Sequence, residues 1–362
     1  MLRARVNEID LLRFLAALSV VVYHYAFRGY AADGLSSMPY APLAPLAKYG
    51  YLGVELFFMI SGFVVLMTAA ASENVRDFII SRVVRLYPAF WACCTITYLV
   101  TVGFGAPGAV TLNQFLVNLT MLSGLSKFQP IDGAYWSLLV EIRFYALVGV
   151  VIAIGRIRQA QALLIVWLLG CVVLEVLRTD AAPLLQLPSP PLRYLRYLLI
   201  VDYCAYFVAG ATCYLIWSKG LSAPRLATVA VSWALAVCQC LPKLREFEKT
   251  FNTQMNTTVV IIIISVFYAA LLLVALRKTA LFARLRWPLA GAISYPLYLL
   301  HQNIGYLIFN HLYPALSPHL LMVATMAFVI AAAYAVHVMV ERRVSARLKA
   351  MLTTKLNRRA VS

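Results

Sequence analysis

Few residues of this chain could do acid–base chemistry, so their spacing is informative: its 362 residues include only five His and 14 Asp plus Glu. Arg13 and His24 stand eleven residues apart in an apolar stretch. At 100° per residue that is about 20° past three helical turns, so both side chains leave one helix face, roughly 16 Å apart along the axis. Asp10, three residues before Arg13, is spaced to pair with it. GYLGVELFFMISGF (50–63) carries Glu55, and AYWSLLVEIRFYAL (134–147) carries Glu141 and Arg143. An imidazole beside carboxylates in a dry site has its tautomer set, as a general base acting on a hydroxyl requires. His24 with Glu55 and Glu141 is therefore a candidate catalytic group, with Arg13 beside it.

Other residues leave two readings open. Glu55 and Glu141 serve equally as structural partners of Arg143 or as helix-end bonds, Arg13 as a snorkelling cation and His24 as a His bonded within a bundle. SYPLYLLHQNIG (294–305) holds Pro296, which frees backbone groups, and His301, either a packed His or a substrate contact. Trp136 is an interfacial anchor or a surface for substrate, and Ser137 a helix-start bond or a substrate contact. Arg82-Val-Val-Arg85 sets two guanidiniums on one helix face, which suits a polyphosphate or a lipid head group. His337 and Glu341 close the last apolar stretch without a defined role, and His311 and His319 carry no signal. No Walker loop, dinucleotide glycine pattern, Gly-x-Ser-x-Gly or His-Glu-x-x-His is present. The seven Cys lie in or at the ends of apolar runs without Cys-x-x-Cys spacing, and read as structural thiols with no metal site.

The elements that must position these groups follow from composition. Apolar residues make up 63% and charged ones 12%, with mean hydropathy +0.82. A soluble domain is nearer half apolar and a quarter charged. This excludes a soluble enzyme and a disordered chain, and predicts an all-α polytopic membrane protein. Ten spans are expected: 8–27, 50–71, 88–105, 135–154, 161–178, 197–217, 224–241, 257–276, 289–312 and 318–340. The first is read as a retained span and not a cleaved signal, because Glu8, Asp10 and Arg13 interrupt its start. The basic segment 74–87, NVRDFIISRVVRLY, is expected to lie along the inner membrane surface, and 106–134 to form an outer loop with an amphipathic stretch at Leu112–Leu122. The net charge of +17 would suggest nucleic-acid binding in a soluble protein. Here it sorts by side: with the N-terminus inside, 20 Lys and Arg face the cytoplasm and nine face out, the other two being Arg13 and Arg143. Both termini are thus expected in the cytoplasm, and no nucleic-acid partner is expected. Residues 1–341 read as one membrane domain and 342–362 as a basic cytoplasmic tail, too short for a further soluble domain.

The run EIDLLRFLAAL (8–18) with His24 resembles the opening Arg-x10-His motif of the acyltransferase-3 family of integral membrane acyltransferases. The likeness continues, in the family's order, through GYLGVELFFMISGF, RVVRLYP, AYWSLLVEIRFYAL and SYPLYLLH, over nearly the whole chain. It implies a ten-span bundle in a bacterial inner membrane, carrying an acyl group, usually acetyl from cytoplasmic acetyl-CoA, to a hydroxyl of an outward-facing or lipid-linked glycan. No permanently bound cofactor is implied; acyl-CoA is a substrate. His24 would be the catalytic His, Arg13 its motif partner, and Arg82 and Arg85 the cytoplasmic Arg-x-x-Arg that serves the CoA phosphates. Family members often end the last span with Glu-Pro, whereas Glu341 is followed by Arg342 and Arg343. The chain resembles the stand-alone type that decorates exopolysaccharide, lipopolysaccharide and nodulation factors.

Two mechanisms are compatible with these residues: His24 as general base on the acceptor hydroxyl, oriented by Glu55 or Glu141, or His24 as transient acyl carrier. The rival class is a transporter of a small substrate or lipid-linked sugar, since intramembrane Arg, His and Glu also suit proton coupling. Against it stand the lack of an inverted repeat and the unexplained RVVR segment.

Overall fold

The computed structural model describes residues 6–105, 110–177, 189–285 and 287–359, and every regular element among them is helical. We number the long helices α1 Asn7–Tyr23, α2 Gly53–Ala70, α3 Val75–Phe104, α4 Trp136–Ala153, α5 Ala160–Val176, α6 Val201–Lys219, α7 Ala223–Phe251, α8 Thr257–Ala275, α9 Pro288–Leu312, α10 Pro318–Val336 and α11 Arg342–Arg359. Each of α1–α10 covers the greater part of one expected span. All but α9, taken with adjoining turns, are long and apolar enough to cross a membrane, nine among the described residues. The chain is a multi-pass membrane protein. In α9 the run His301-Gln302-Asn303 lowers an otherwise apolar average. Of the basic residues that set the expected orientation, Arg3, Arg5, Arg178 and Arg286 lie outside the described residues, as do the last three residues of the expected tail. All seven Cys are free, six of them buried.

The structure corrects two boundaries. α3 runs unbroken from Val75 to Phe104, so the expected surface segment 74–87 and the third span are one helix. Pro88 lacks the N–H that would reach the Val84 carbonyl, a loss that packed membrane helices tolerate. α7 likewise continues through Pro242 to Phe251, ten residues beyond the expected end. In the loop between α3 and α4 the expected amphipathic stretch is a short helix, Leu112–Asn118, started by the Thr111 hydroxyl accepting from the Gln114 N–H.

The chain divides into two compact units. Unit one comprises Met1–Glu8, Glu55–Val75 and Val140–Arg286. At its centre α6 is buried on every side from Cys204 to Cys213. A Cβ at Gly210 would fall on the Met59 carbonyl, and one at Gly62 on the Phe207 carbonyl, so α2 and α6 pack backbone to backbone. Helix α5 buries Leu164, Leu168, Cys171 and Leu174 and exposes Val166, Leu169, Val173 and Val176. An exposed stripe that is as apolar as the buried one is a surface made for lipid.

Unit two comprises Ile9–Val54, Arg76–Leu139 and Trp287–Ser362. It holds α1, which changes to a π-helix at His24–Ala32, together with α3, α9, α10 and α11. A π-turn carries one more residue than an α-turn and re-aims the side chains after it, a device frequent at functional sites.

Candidate active site

His24 is the first residue of the π-helical segment and is buried. Its Nδ1 lies 2.9 Å from the Val20 carbonyl oxygen and 3.1 Å from His301 Nε2. The two rings meet edge to face, with centroids 4.8 Å apart. His301 Nδ1 lies 2.8 Å from the Tyr298 carbonyl oxygen. A carbonyl can only accept, so each neutral imidazole carries its hydrogen on Nδ1. The His24 Nδ1–H is then shared between Val20 O and the lone pair of His301 Nε2. That leaves His24 Nε2 as a bare acceptor, buried and with no hydrogen-bond partner among the described residues.

Helix α9 presents His301 through a backbone opened by side chains. Pro296 removes one helical bond. Three carbonyls then accept from side chains: Leu299 O from the Tyr135 hydroxyl at 3.2 Å and His301 O from the Tyr25 hydroxyl at 2.7 Å, both outside the helix, and Tyr298 O from His301 of the helix itself. The Asn303 N–H donates to Asp132 Oδ2 at 3.0 Å, and its side chain donates to Ile131 O at 2.7 Å. Asp132 Oδ1 meanwhile accepts from the Ala134 N–H, starting the turn before α4. The small Gly305 lets the Tyr25 ring lie against α9, since a Cβ there would strike it. Most of the polar groups that SYPLYLLHQN brings into the membrane are thereby answered, as lipid demands; the buried Gln302 Oε1 has no partner among the described residues. Asp132 lies outside the spans and fully buried; burial pushes its carboxyl up to about 6, against the hydrogen bonds from Ala134 and Asn303.

Tyr306, five residues beyond His301, packs its ring on Gly29, with its centroid 6.4 Å from that of His24. Its hydroxyl is buried without a partner, in the electrostatic reach of Arg28 and Asp33, which pair at 2.6 Å. An unanswered buried polar group costs about 1–3 kcal/mol. The bare nitrogen of His24 and the bare hydroxyl of Tyr306 are therefore both open to a ligand.

A second cluster of unit two gathers around Glu341, which ends a π-helical turn His337–Glu341. Its carboxylate accepts from Arg85 at 3.1 Å and faces His337 Nδ1 at 2.7 Å. The Arg85 guanidinium also lies over the Tyr295 ring, 5.8 Å from its centroid. Arg82 Nε donates to the Ser81 hydroxyl, and its guanidinium reaches over Phe78. Arg13 is half-buried on α1, and the Asp10 carboxylate packs on Gly291 of α9.

The other expected site residues are placed differently. The group that orients His24 is His301 and not a carboxylate. His301, expected among the substrate contacts, has both ring nitrogens engaged by the protein. Glu141 belongs to unit one, where Ser61 and Tyr145 each donate to its Oε1 at 2.5 Å. The ion pair with Arg143 does not form, because two residues apart on a helix point to opposite sides. Arg143 instead donates to the Tyr197 carbonyl at 2.7 Å and stacks on that ring at 4.0 Å. Glu55 is buried in unit one, its Oε2 unpartnered. The Ser137 hydroxyl is bonded to the Ala134 carbonyl and the Tyr298 hydroxyl, and Trp136, the first residue of α4, is partly exposed. The sequence reading overlooked Tyr306, Asp132 and Tyr298. Tyr306 is one of 21 Tyr, and only its place one turn past the polar run of α9 distinguishes it.

The fold is an all-helical membrane bundle, and its buried imidazole pair, with one nitrogen unpartnered, is a candidate acid–base centre. The acyltransferase domain model Acyl_transf_3 matches residues 6–338, and the chain belongs to this family, whose members are acyltransferases. The chain is 28% identical over 183 residues to an O-acetyl transferase of Shigella phage Sf6, covering 45% of this chain and 50% of that protein. It is also 28% identical over 172 residues to nodulation protein 10 of Rhizobium leguminosarum bv. viciae, covering 41% of this chain and 45% of that one. The chain thus spans half or less of these curated relatives. No solved structure matches it.

Proposed function

We propose that this protein is a membrane O-acyltransferase that moves an acyl group, most simply acetyl, from cytoplasmic acyl-CoA to a hydroxyl of an extracytoplasmic or lipid-linked glycan. Its seat would be a bacterial plasma membrane, with both termini in the cytoplasm. The observation that carries the reading is the bare lone pair on His24 Nε2, held there by Val20 and His301. The acceptor hydroxyl would give its proton to that nitrogen as its oxygen attacks the thioester carbonyl carbon. The carbon–sulfur bond then breaks, and the departing thiolate takes the proton from Nε2 to leave as CoA thiol. While His24 is charged, its Nδ1–H stays bonded to His301 Nε2 and Val20 O. The Tyr306 hydroxyl, bare and adjacent, would donate to the carbonyl oxygen as charge develops on it. Arg82 and Arg85 would meet the CoA phosphates, with Glu341 holding Arg85 in place. The relative named for O-acetyl transfer supports the choice of acetyl.

The test is a His24→Ala variant made at wild-type level. Purified protein is given labelled acetyl-CoA and candidate glycans, and acetyl transfer and CoA release are followed. The variant should lose both by about 10²–10⁴-fold. Retained transfer would refute the assignment, and movement of a sugar without acylation would make the protein a transporter. An acyl group found on His24 by mass spectrometry would turn the general base into an acyl carrier.

A further inference from the structure

Unit one contains a polar cluster that the proposed reaction does not use. Lys243 of α7 donates to the Asp202 carbonyl at 2.9 Å, and its ammonium sits 3.9 Å from the centroid of the Tyr203 ring. Arg196 joins Glu175 at 3.0 Å to Asp202 at 2.8 Å. Gln239, one turn before Lys243, donates to Glu175 and to the Val201 carbonyl. Phe58, one turn after Glu55 on α2, packs against Tyr203 with centroids 4.9 Å apart, which turns Glu55 to the same side. Glu55 and Lys243 are electrostatic neighbours, and Arg143 is one of Asp202 and Tyr203. The cluster thus collects the N-terminal halves of α2, α4 and α6 and the C-terminal halves of α5 and α7.

Its charges balance: Arg143, Arg196 and Lys243 against Glu55, Glu175 and Asp202. Its hydrogen bonds do not. Glu55 Oε2, Gln239 Oε1 and Arg143 Nε are buried with no partner among the described residues. Glu55 and Gln239 are themselves 7% and 4% exposed. Two orphan acceptors and one orphan donor call for a ligand with at least two hydroxyl donors and one acceptor. The matched charges call for one without net charge. The rings of Tyr197 and Tyr203 supply flat apolar faces beside them, already attractive to Arg143 and Lys243.

The geometry points to a second binding site, in unit one, where Glu55, Gln239 and Arg143 hydrogen-bond a neutral sugar ring. Glu55 and Gln239 take its hydroxyl hydrogens, and the Arg143 Nε–H gives to a hydroxyl or ring oxygen. Choosing a sugar among neutral polyols rests on the glycan acceptor proposed above; the three unanswered atoms do not.

The test uses the full chain in lipid nanodiscs, without acyl donor, and saturation-transfer NMR on methyl β-D-glucopyranoside and methyl β-D-galactopyranoside. Transfer to at least one glycoside is expected in the wild type. Gln239→Leu and the isosteric Glu55→Gln should each weaken it by about five- to ten-fold, the worth of one hydrogen bond. Should either variant fail to fold, labelling of wild-type Glu55 by a hydrophobic carbodiimide decides: the glycoside should slow it. No transfer in the wild type, undiminished transfer in both variants, or labelling indifferent to glycoside would each overturn the site. Because no acyl donor is present, loss of acyl transfer in His24→Ala bears on the proposed function and leaves this site standing.

Discussion

The two polar regions of this protein solve the same problem in opposite ways. Around His24 and His301 the groups are neutral, and both imidazoles are tied to backbone carbonyls, while His24 Nε2, the Tyr306 hydroxyl and Gln302 Oε1 remain bare. Around Lys243 most groups are charged; Lys243 and Arg143 reach backbone carbonyls, Arg196 joins Glu175 to Asp202, and two acceptors and a donor remain bare. A neutral pair held by backbone has a fixed tautomer and a lone pair that can take up a proton and return it, which suits chemistry. A balanced charge network resists such a change and suits recognition. What distinguishes the regions is therefore the charge of their polar groups, more than how many there are.

The comparison can be broken most severely at His24, where the alanine variant described above removes the bare nitrogen itself. Next is Tyr306→Phe, which deletes one unpartnered hydroxyl. Turnover should fall about 10²-fold, as for a lost oxyanion donor. Stability should hold or rise by about 1 kcal/mol, because an unsatisfied buried group is gone. A thermal melt beside a rate measurement checks both signs, and a less stable, fully active variant would remove Tyr306 from the mechanism. For His301, Leu should reduce kcat about ten- to a hundred-fold by releasing the His24 ring, with acyl-donor KM little changed. Gln, whose amide oxygen can accept from His24 Nδ1–H, should recover part of that loss. Equal damage from both would make His301 a packing residue only.

Glu341→Gln tests the cluster around Arg85. It removes the charge that holds Arg85, so acyl-CoA KM should rise about three- to ten-fold while kcat stays near wild type. A fall in kcat at unchanged KM would sever Arg85 from donor binding. The smallest effect concerns pH. The Asp132 carboxyl keeps its proton up to about 6 when folded and releases it near 3.9 when unfolded. The folded state therefore holds more protons across this window, and stability should fall as pH rises from about 4 to 6, by at most about 3 kcal/mol. In Asp132→Asn, thermal unfolding in detergent should lose that slope. A slope of the opposite sign would mean that the hydrogen bonds from Asn303 and Ala134 outweigh burial.

Much of the architecture could be read from residue order alone. Ten apolar stretches became ten helices, because in lipid only a helix satisfies its own backbone, and span length follows from membrane thickness. The Arg-x10-His spacing set the face and depth of His24, and the Arg82–Arg85 spacing set a paired guanidinium face. Depth was legible because rise per residue is constant. Direction around the bundle axis was not. That is why carboxylates at matching depth looked like partners of His24, while the imidazole that does bond it, 277 positions away, looked like a packed or substrate-facing residue. The π-helical start at His24, the unbroken α3 and the bare Tyr306 hydroxyl were likewise beyond reach, since each depends on which neighbour satisfies which polar atom. Sequence by itself determined that this chain is a helical membrane protein with ionisable groups at set depths. Tertiary structure decided which of those groups are answered and which are left open, because hydrogen bonds between helices depend on rotation and contact, which periodicity does not encode.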